Sequence, residues 1–122
     1  MNGTASLVQR WERLELYVRC GLAPREPAYL QLYLHLGRKL ARRGDRPALA
    51  IQLRMLATLL KSAEDEALPW LWRSICLEHA TLPLAQVSGS CRLHDPLAVD
   101  ALERALERAW HRLPADPSRQ PS

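Results

Sequence analysis

Apolar residues recur at helical intervals along most of the chain, with polar residues filling the faces between them. Leu7, Trp11, Leu14, Tyr17 and Val18 step by four, three, three and one, which sets them along one side of a helix. That helix is predicted to end near Cys20, where Gly21 can take the left-handed closing conformation, and Pro24 and Pro27 supply a connector and a first turn. A second helix over about Pro27 to Arg43 places Leu30, Tyr33, Leu34, Gly37, Leu40 and Ala41 on one side. Gln31, His35, Arg38, Lys39 and Arg42 take the other. Gly44 stops it, Asp45 is the expected N-cap of the next helix, and Pro47 opens that helix.

From Pro47 to Lys61 the chain is Leu49, Ile51, Leu53, Met55, Leu56, Leu59 and Leu60, with little between them but Ala, Gln52, Arg54 and Thr58. A helix apolar nearly all round needs neighbours on several sides, so this one is expected at the centre. After Glu64-Asp65-Glu66, a fourth helix begins at Pro69 and carries Trp70, Leu71, Trp72, Ile75, Cys76, Leu77 and His79. Residues 81–94 contain Pro83, Ser88, Gly89 and Ser90 and predict a short apolar helical or irregular stretch followed by a loop. Asp95-Pro96 starts a fifth helix bearing Val99, Leu102, Leu106, Ala109 or Trp110, and Leu113, with Asp100 and Arg104 as a four-apart ion pair. The result is an all-α fold: a compact bundle of about five helices around a central apolar helix, forming one domain over residues 1–113. Residues 114–122, Pro- and Ser-rich, are expected to be a disordered tail.

Composition reinforces this pattern. There are 24 Leu against six Val plus Ile, and no Phe, a balance that favours helix over strand. The net charge is +4, and 15 of the 17 basic residues are Arg. Abundant Arg, Ala, Leu and Pro together are also what GC-rich coding produces, so net charge alone argues little for an anionic partner. No apolar run approaches the roughly 20 residues of a membrane span, and Met1-Asn2-Gly3-Thr4 lacks the start of a signal peptide. A cytoplasmic location with no membrane association is therefore expected. The odd set Cys20, Cys76 and Cys91 reads as free thiols or metal ligands.

Three features could carry chemistry. Cys76-x-x-His79 and Cys91-x-x-His94 repeat one spacing, and two such pairs brought together across a loop would offer four ligands to zinc or iron. Packing is the favoured account of the first pair, because Leu68, Leu71, Trp72, Ile75, Cys76 and His79 share a helical face and cysteine is commonly buried. The second feature is the basic run Arg38, Lys39, Arg42, Arg43 and Arg46. A helix-turn-helix reading fails because the helix that follows would place Leu49, Ile51, Leu53, Met55 and Leu56 inside, with no polar face to read bases. The run also lacks interleaved aromatics, and its cations complement a helix C-terminus, so nucleic acid is not the expected partner.

The third feature is the reverse side of the fourth helix, where Trp70, Arg73 and Leu77 would form a partner surface unless the segment after Thr81 folds over them. Catalytic patterns are missing: no phosphate-binding Gly-rich loop, no G-x-S-x-G, no H-E-x-x-H, and no paired carboxylates in an apolar setting.

Trp11 followed by Tyr17-Val18-Arg19-Cys20-Gly21-Leu22, together with Ala67-Leu68-Pro69-Trp70-Leu71-Trp72-Arg73-x-x-Cys76-Leu77-Glu78-His79, resembles the FagA family of small pseudomonad proteins. The resemblance spans most of residues 7–87. It implies a protein encoded beside a fumarase and a manganese superoxide dismutase under iron-responsive control, with no family-defined functional residue to transfer. The expected function is thus a non-enzymatic accessory or adaptor protein of the iron-limitation or oxidative-stress response, acting through a helical surface on a protein partner or a second copy of itself. A small Cys/His metal-binding or metal-sensing protein is the alternative, and nucleic-acid binding through the basic run is a second one.

Overall fold

A computed structural model describes residues 3–44 and 46–117, with side chains from Ser6 onward. It contains α1 (Gly3–Cys20), α2 (Pro27–Arg43), α3 (Ala48–Ala63), α4 (Trp70–Cys91) and α5 (Pro96–Arg112), and no strand among the described residues. The chain is therefore all-α, as its leucine spacing predicts. No helix is long and apolar enough to cross a membrane among the described residues. Asp45, expected as an N-cap, lies outside the described residues, and Pro47 takes that position on α3.

Each helix packs on the next in the chain, and α3 touches all four others, which places it at the centre. Its inward residues Ile51, Met55, Leu56 and Leu59 are buried with Trp11, Leu30, Tyr33, Leu40, Trp72 and Leu77. Leu49 and Leu53 are an exception to the expectation, at 37% and 39% exposed, because no helix covers the outer edge of α3 there. On α5 the core takes Ala109, whereas Trp110 is 41% exposed. Gly21 and Gly44 close α1 and α2 with φ of 57° and 75°, the left-handed region where a Cβ is costly. Asp95 caps α5 by accepting the amide of Ala98. Asp100 pairs with Arg92, as does Glu103, rather than with Arg104.

The largest departure from expectation is α4. It continues as one helix through Pro83 and Gly89 to Cys91, where the sequence predicts a loop. Proline within a helix removes one backbone hydrogen bond and costs about 3 kcal/mol. Ala80, Leu84 and Val87 are buried across the same stretch, and burying a Leu or Val side chain stabilises by about 1.5–3 kcal/mol each. Packing along the α3–α4 seam thus holds the helix through its weak point.

The start of α4 ties the bundle's ends together. Trp72 Nε1 donates to the carbonyl of Val18 at the end of α1, 2.9 Å. Arg73 Nε donates to the carbonyl of Ala63 at the end of α3, 2.7 Å. Both acceptors belong to the last turns of helices, where carbonyls lack an intrahelical partner. Trp70 Nε1 donates to the carbonyl of Pro114, 2.7 Å, so the first residues of the expected tail pack back on the bundle: 114–117 are described there, and 118–122 lie outside the described residues.

A second polar node joins α1, α2 and α3. Arg54 donates Nε–H and Nη2–H to the two carboxylate oxygens of Glu15, and the Tyr33 hydroxyl donates to the same carboxylate. Arg54 also stacks 4.7 Å over the Trp11 ring, which lies nearly parallel to Tyr33. Burial pushes the Tyr33 phenol well above its ordinary range, and the hydrogen bond that Arg54 donates to Glu15 raises the guanidinium further. Every member links helices, so the node is accounted for by packing.

Candidate functional site: a basic cleft between three helices

Three helix segments meet around a cleft of about 320 Å³ lined by Arg38, Ala41, Arg42, Ala48, Leu49, Gln52, Gln86 and Ser90. The four-residue spacing of Arg38 and Arg42 on α2 puts both guanidiniums on one face, beside the buried stripe of Leu34, Gly37 and Leu40. Gly44 turns the chain so that the first turn of α3 follows at once, and Ala48, Leu49 and Gln52 form the second wall. Gln86 and Ser90, also four apart, form the third. They reach the cleft only because α4 runs unbroken past Pro83, packed along α3, and brings its last two turns beside the start of α3.

Among the described residues, no acidic side chain pairs with the charge in the cleft. Among the described residues the ion pairs are made by Arg19, Arg54, Arg92 and Arg112. Arg38, Lys39, Arg42, Arg43 and Arg46 make no ion pair among the described residues. Arg38 and Arg42 line the cleft, while Lys39, Arg43 and Arg46 are exposed and outside its lining. The α2 carbonyl terminus offsets part of the charge of Arg42 and Arg43 in the last turn, but its influence fades within one turn. The first turn of α3 adds positive potential: it has no acidic residue and no side-chain cap.

Gln52 is the residue that sequence reasoning missed. It is only 8% exposed, lines the cleft, and its amide has no hydrogen-bond partner among the described residues. Its amide opens to the cleft rather than being sealed in the core: the buried side-chain polar atom left without a partner among the described residues is Trp11 Nε1. In the sequence Gln52 reads as an incidental polar interruption of a leucine run. Its one available signal is its place four residues after Ala48, on the side of α3 that continues into the buried Leu56 and Leu59.

The other expected sites come apart. Leu77 is fully buried and Arg73 is 7% exposed with its guanidinium on Ala63, so Trp70, Arg73 and Leu77 do not form a partner surface. Trp70 alone remains half-buried, covered in part by residues 114–117. The pattern misleads about the phase of α4 because apolar residues surround it on every side: Leu71, placed inside by pattern, is 55% exposed.

The Cys/His constellation also fails to assemble. Cys76 and Cys91 sit on the same helix, fifteen residues or about 22 Å apart at 1.5 Å per residue, so the two pairs cannot close around one zinc or iron ion. Cys76 is buried among apolar groups, which pushes its thiol up to about 12. His79 turns Nδ1 to the carbonyl of Ile75, 2.9 Å, and His94 is exposed beyond the helix end. Among the described residues no group of three or more His, Cys, Asp or Glu is gathered closely enough to hold a metal ion. The three cysteines are free thiols.

Comparison with protein-family models, with curated proteins and with solved structures finds no match to this chain.

Proposed function

We propose that this chain is a non-enzymatic accessory protein whose working surface is the basic corner, where it holds an acidic segment of a protein partner. The observation that carries this reading is the cluster of Arg38, Lys39, Arg42, Arg43 and Arg46 without an acidic partner among the described residues, beside a cleft. Arginine-rich patches beside apolar side chains are typical of protein interfaces, and Leu49 and Leu53 supply an exposed apolar edge next to the cations. Nucleic acid is disfavoured by the same corner, which offers no aromatic side chain for stacking on bases. Production under iron limitation, which the FagA resemblance implies, is a further part of the proposal.

The test is binding of a fluorescent poly-glutamate chain, followed by anisotropy at low and raised salt. Saturable binding that weakens with salt and is lost in the Lys39→Ala, Arg43→Ala, Arg46→Ala triple variant supports the reading. Equal binding by the triple variant, or stronger binding of a single-stranded oligonucleotide than of poly-glutamate, overturns it.

A further inference from the structure

We infer that the cleft between α2, α3 and α4 is a site for a phosphate monoester group, held by Arg38, Arg42 and Gln52. The inference rests on the reading of the basic corner as the working surface and names the group that enters it. Two facts independent of each other point to a ligand. The first is the pair of guanidiniums at Arg38 and Arg42, four apart on one helix face and without an acidic partner among the described residues. The second is Gln52, more than nine-tenths buried, unpartnered among the described residues and forming the cleft wall. The donors match an anion: each guanidinium presents a planar fork of N–H groups, and the Gln52 amide adds NH₂ donors. Ser90 contributes a hydroxyl, and the uncapped first turn of α3 adds the positive end of its dipole.

Charge selects phosphate over carboxylate. A monoester carries about −1.5 to −2 at neutral pH with its second ionisation near about 6, which balances two arginines that have no acidic partner among the described residues, whereas a carboxylate would balance only one. The cleft volume of about 320 Å³ is at the small end for a ligand pocket. It admits a phosphate with a short body against Ala41, Ala48 and Leu49. That body has two possible sources, a phosphorylated side chain of the partner or a small soluble phosphomonoester, and the phosphate chemistry is common to both.

The experiment is calorimetric titration of the full chain with inorganic phosphate, with phenyl phosphate and with a short phosphoserine peptide, at constant ionic strength set by chloride. The expected result is saturable binding that strengthens as pH rises through the second ionisation of the ligand, near about 6 for the two monoesters and higher for inorganic phosphate. Arg38→Ala, Arg42→Ala is expected to weaken it at least about tenfold, because two cations and their hydrogen bonds are lost, and Gln52→Leu about fivefold, because one uncharged donor to the anion is lost. Circular dichroism and thermal melting of each variant verify that the bundle is intact.

Tighter binding of the peptide than of phenyl phosphate identifies a phosphorylated partner as the source, and the reverse identifies a soluble phosphomonoester. No saturable heat with any of the three, or equal affinity in a folded Arg38→Ala, Arg42→Ala variant, overturns the site. The two proposals fail separately. Gln52→Leu is expected to weaken phosphate about fivefold while leaving poly-glutamate unchanged, and the Lys39, Arg43 and Arg46 triple variant to lose poly-glutamate while keeping phosphate.

Discussion

Arg54 on α3 grips Glu15 on α1 with two parallel N–H···O bonds of 2.8 and 2.9 Å. The pair is bidentate, half-sheltered at 38% and 20% side-chain exposure, and flanked by the Trp11 ring and the Tyr33 hydroxyl. Exposed ion pairs contribute little, but this geometry is fixed at both ends. Arg54→Ala and Glu15→Ala are each expected to destabilise the bundle by about 1–2 kcal/mol. A double-mutant cycle in urea is expected to return a coupling above about 0.5 kcal/mol; additive losses would show that the two residues act only through separate packing.

Gly37 on α2 lies against the indole edge of Trp11. A Cβ there would fall 2.9 Å from Trp11 Nε1 and 2.3 Å from Met55 Sδ. The Met55 end can swing aside, but the Trp11 ring is enclosed. Gly37→Ala is therefore expected to cost about 1–3 kcal/mol, despite the better helix propensity of alanine, and to be read as a lower urea midpoint. An unchanged midpoint would mean that the α1–α2 seam opens without strain.

Gly89 presents the opposite case. It lies inside α4 with nothing within 4 Å of its would-be Cβ. Gly89→Ala is expected to stabilise by about 0.5–1 kcal/mol, a thermal upshift of a few degrees. A loss of stability would indicate that α4 does not run helically to Cys91 in solution.

Cys76 couples stability to alkaline pH. Burial keeps its thiol protonated and moves it from an ordinary 9.0 to about 12. The folded state holds that proton more tightly than the unfolded chain does, so its contribution is fully present below about pH 9 and is lost as pH rises toward about 12. Burial acts in the same direction on Tyr33. The stability of Cys76→Ala is expected to fall less steeply above about pH 9 than that of the parent. Thiol labelling under native conditions is expected to modify exposed Cys20 rapidly and Cys76 only on unfolding. Fast labelling of all three would contradict the buried placement.

Helix positions are legible in the residues because Gly21, Gly44, Pro27 and Asp95 punctuate the chain by local chemistry, and the faces of α2 and α5 are legible because charged and apolar residues alternate there. The face of α4 is not. Apolar side chains surround it, so nothing local distinguishes Leu77, which is buried, from Leu71, which is not. Pro83 and Gly89 resemble a break, and only the apolar seam with α3, a tertiary effect, carries the helix through them. The basic run is visible in the sequence, but the cleft is not. Its walls come from three helices, and Gln52 acquires meaning only when Gln86 and Ser90 are brought opposite by that unbroken helix.

The three ties made by the start of α4 give the chain a timetable. Helices α1, α2 and α3 leave the ribosome first, yet the carbonyl of Ala63 waits for Arg73, and that of Val18, already met by the Gly21 amide, gains Trp72 only later. Until α4 emerges, the side of α3 that it covers is expected to stay in contact with water. Completion of the bundle is thereby deferred to the arrival of α4, so a chain truncated before residue 70 would remain loosely packed however long it was left to fold.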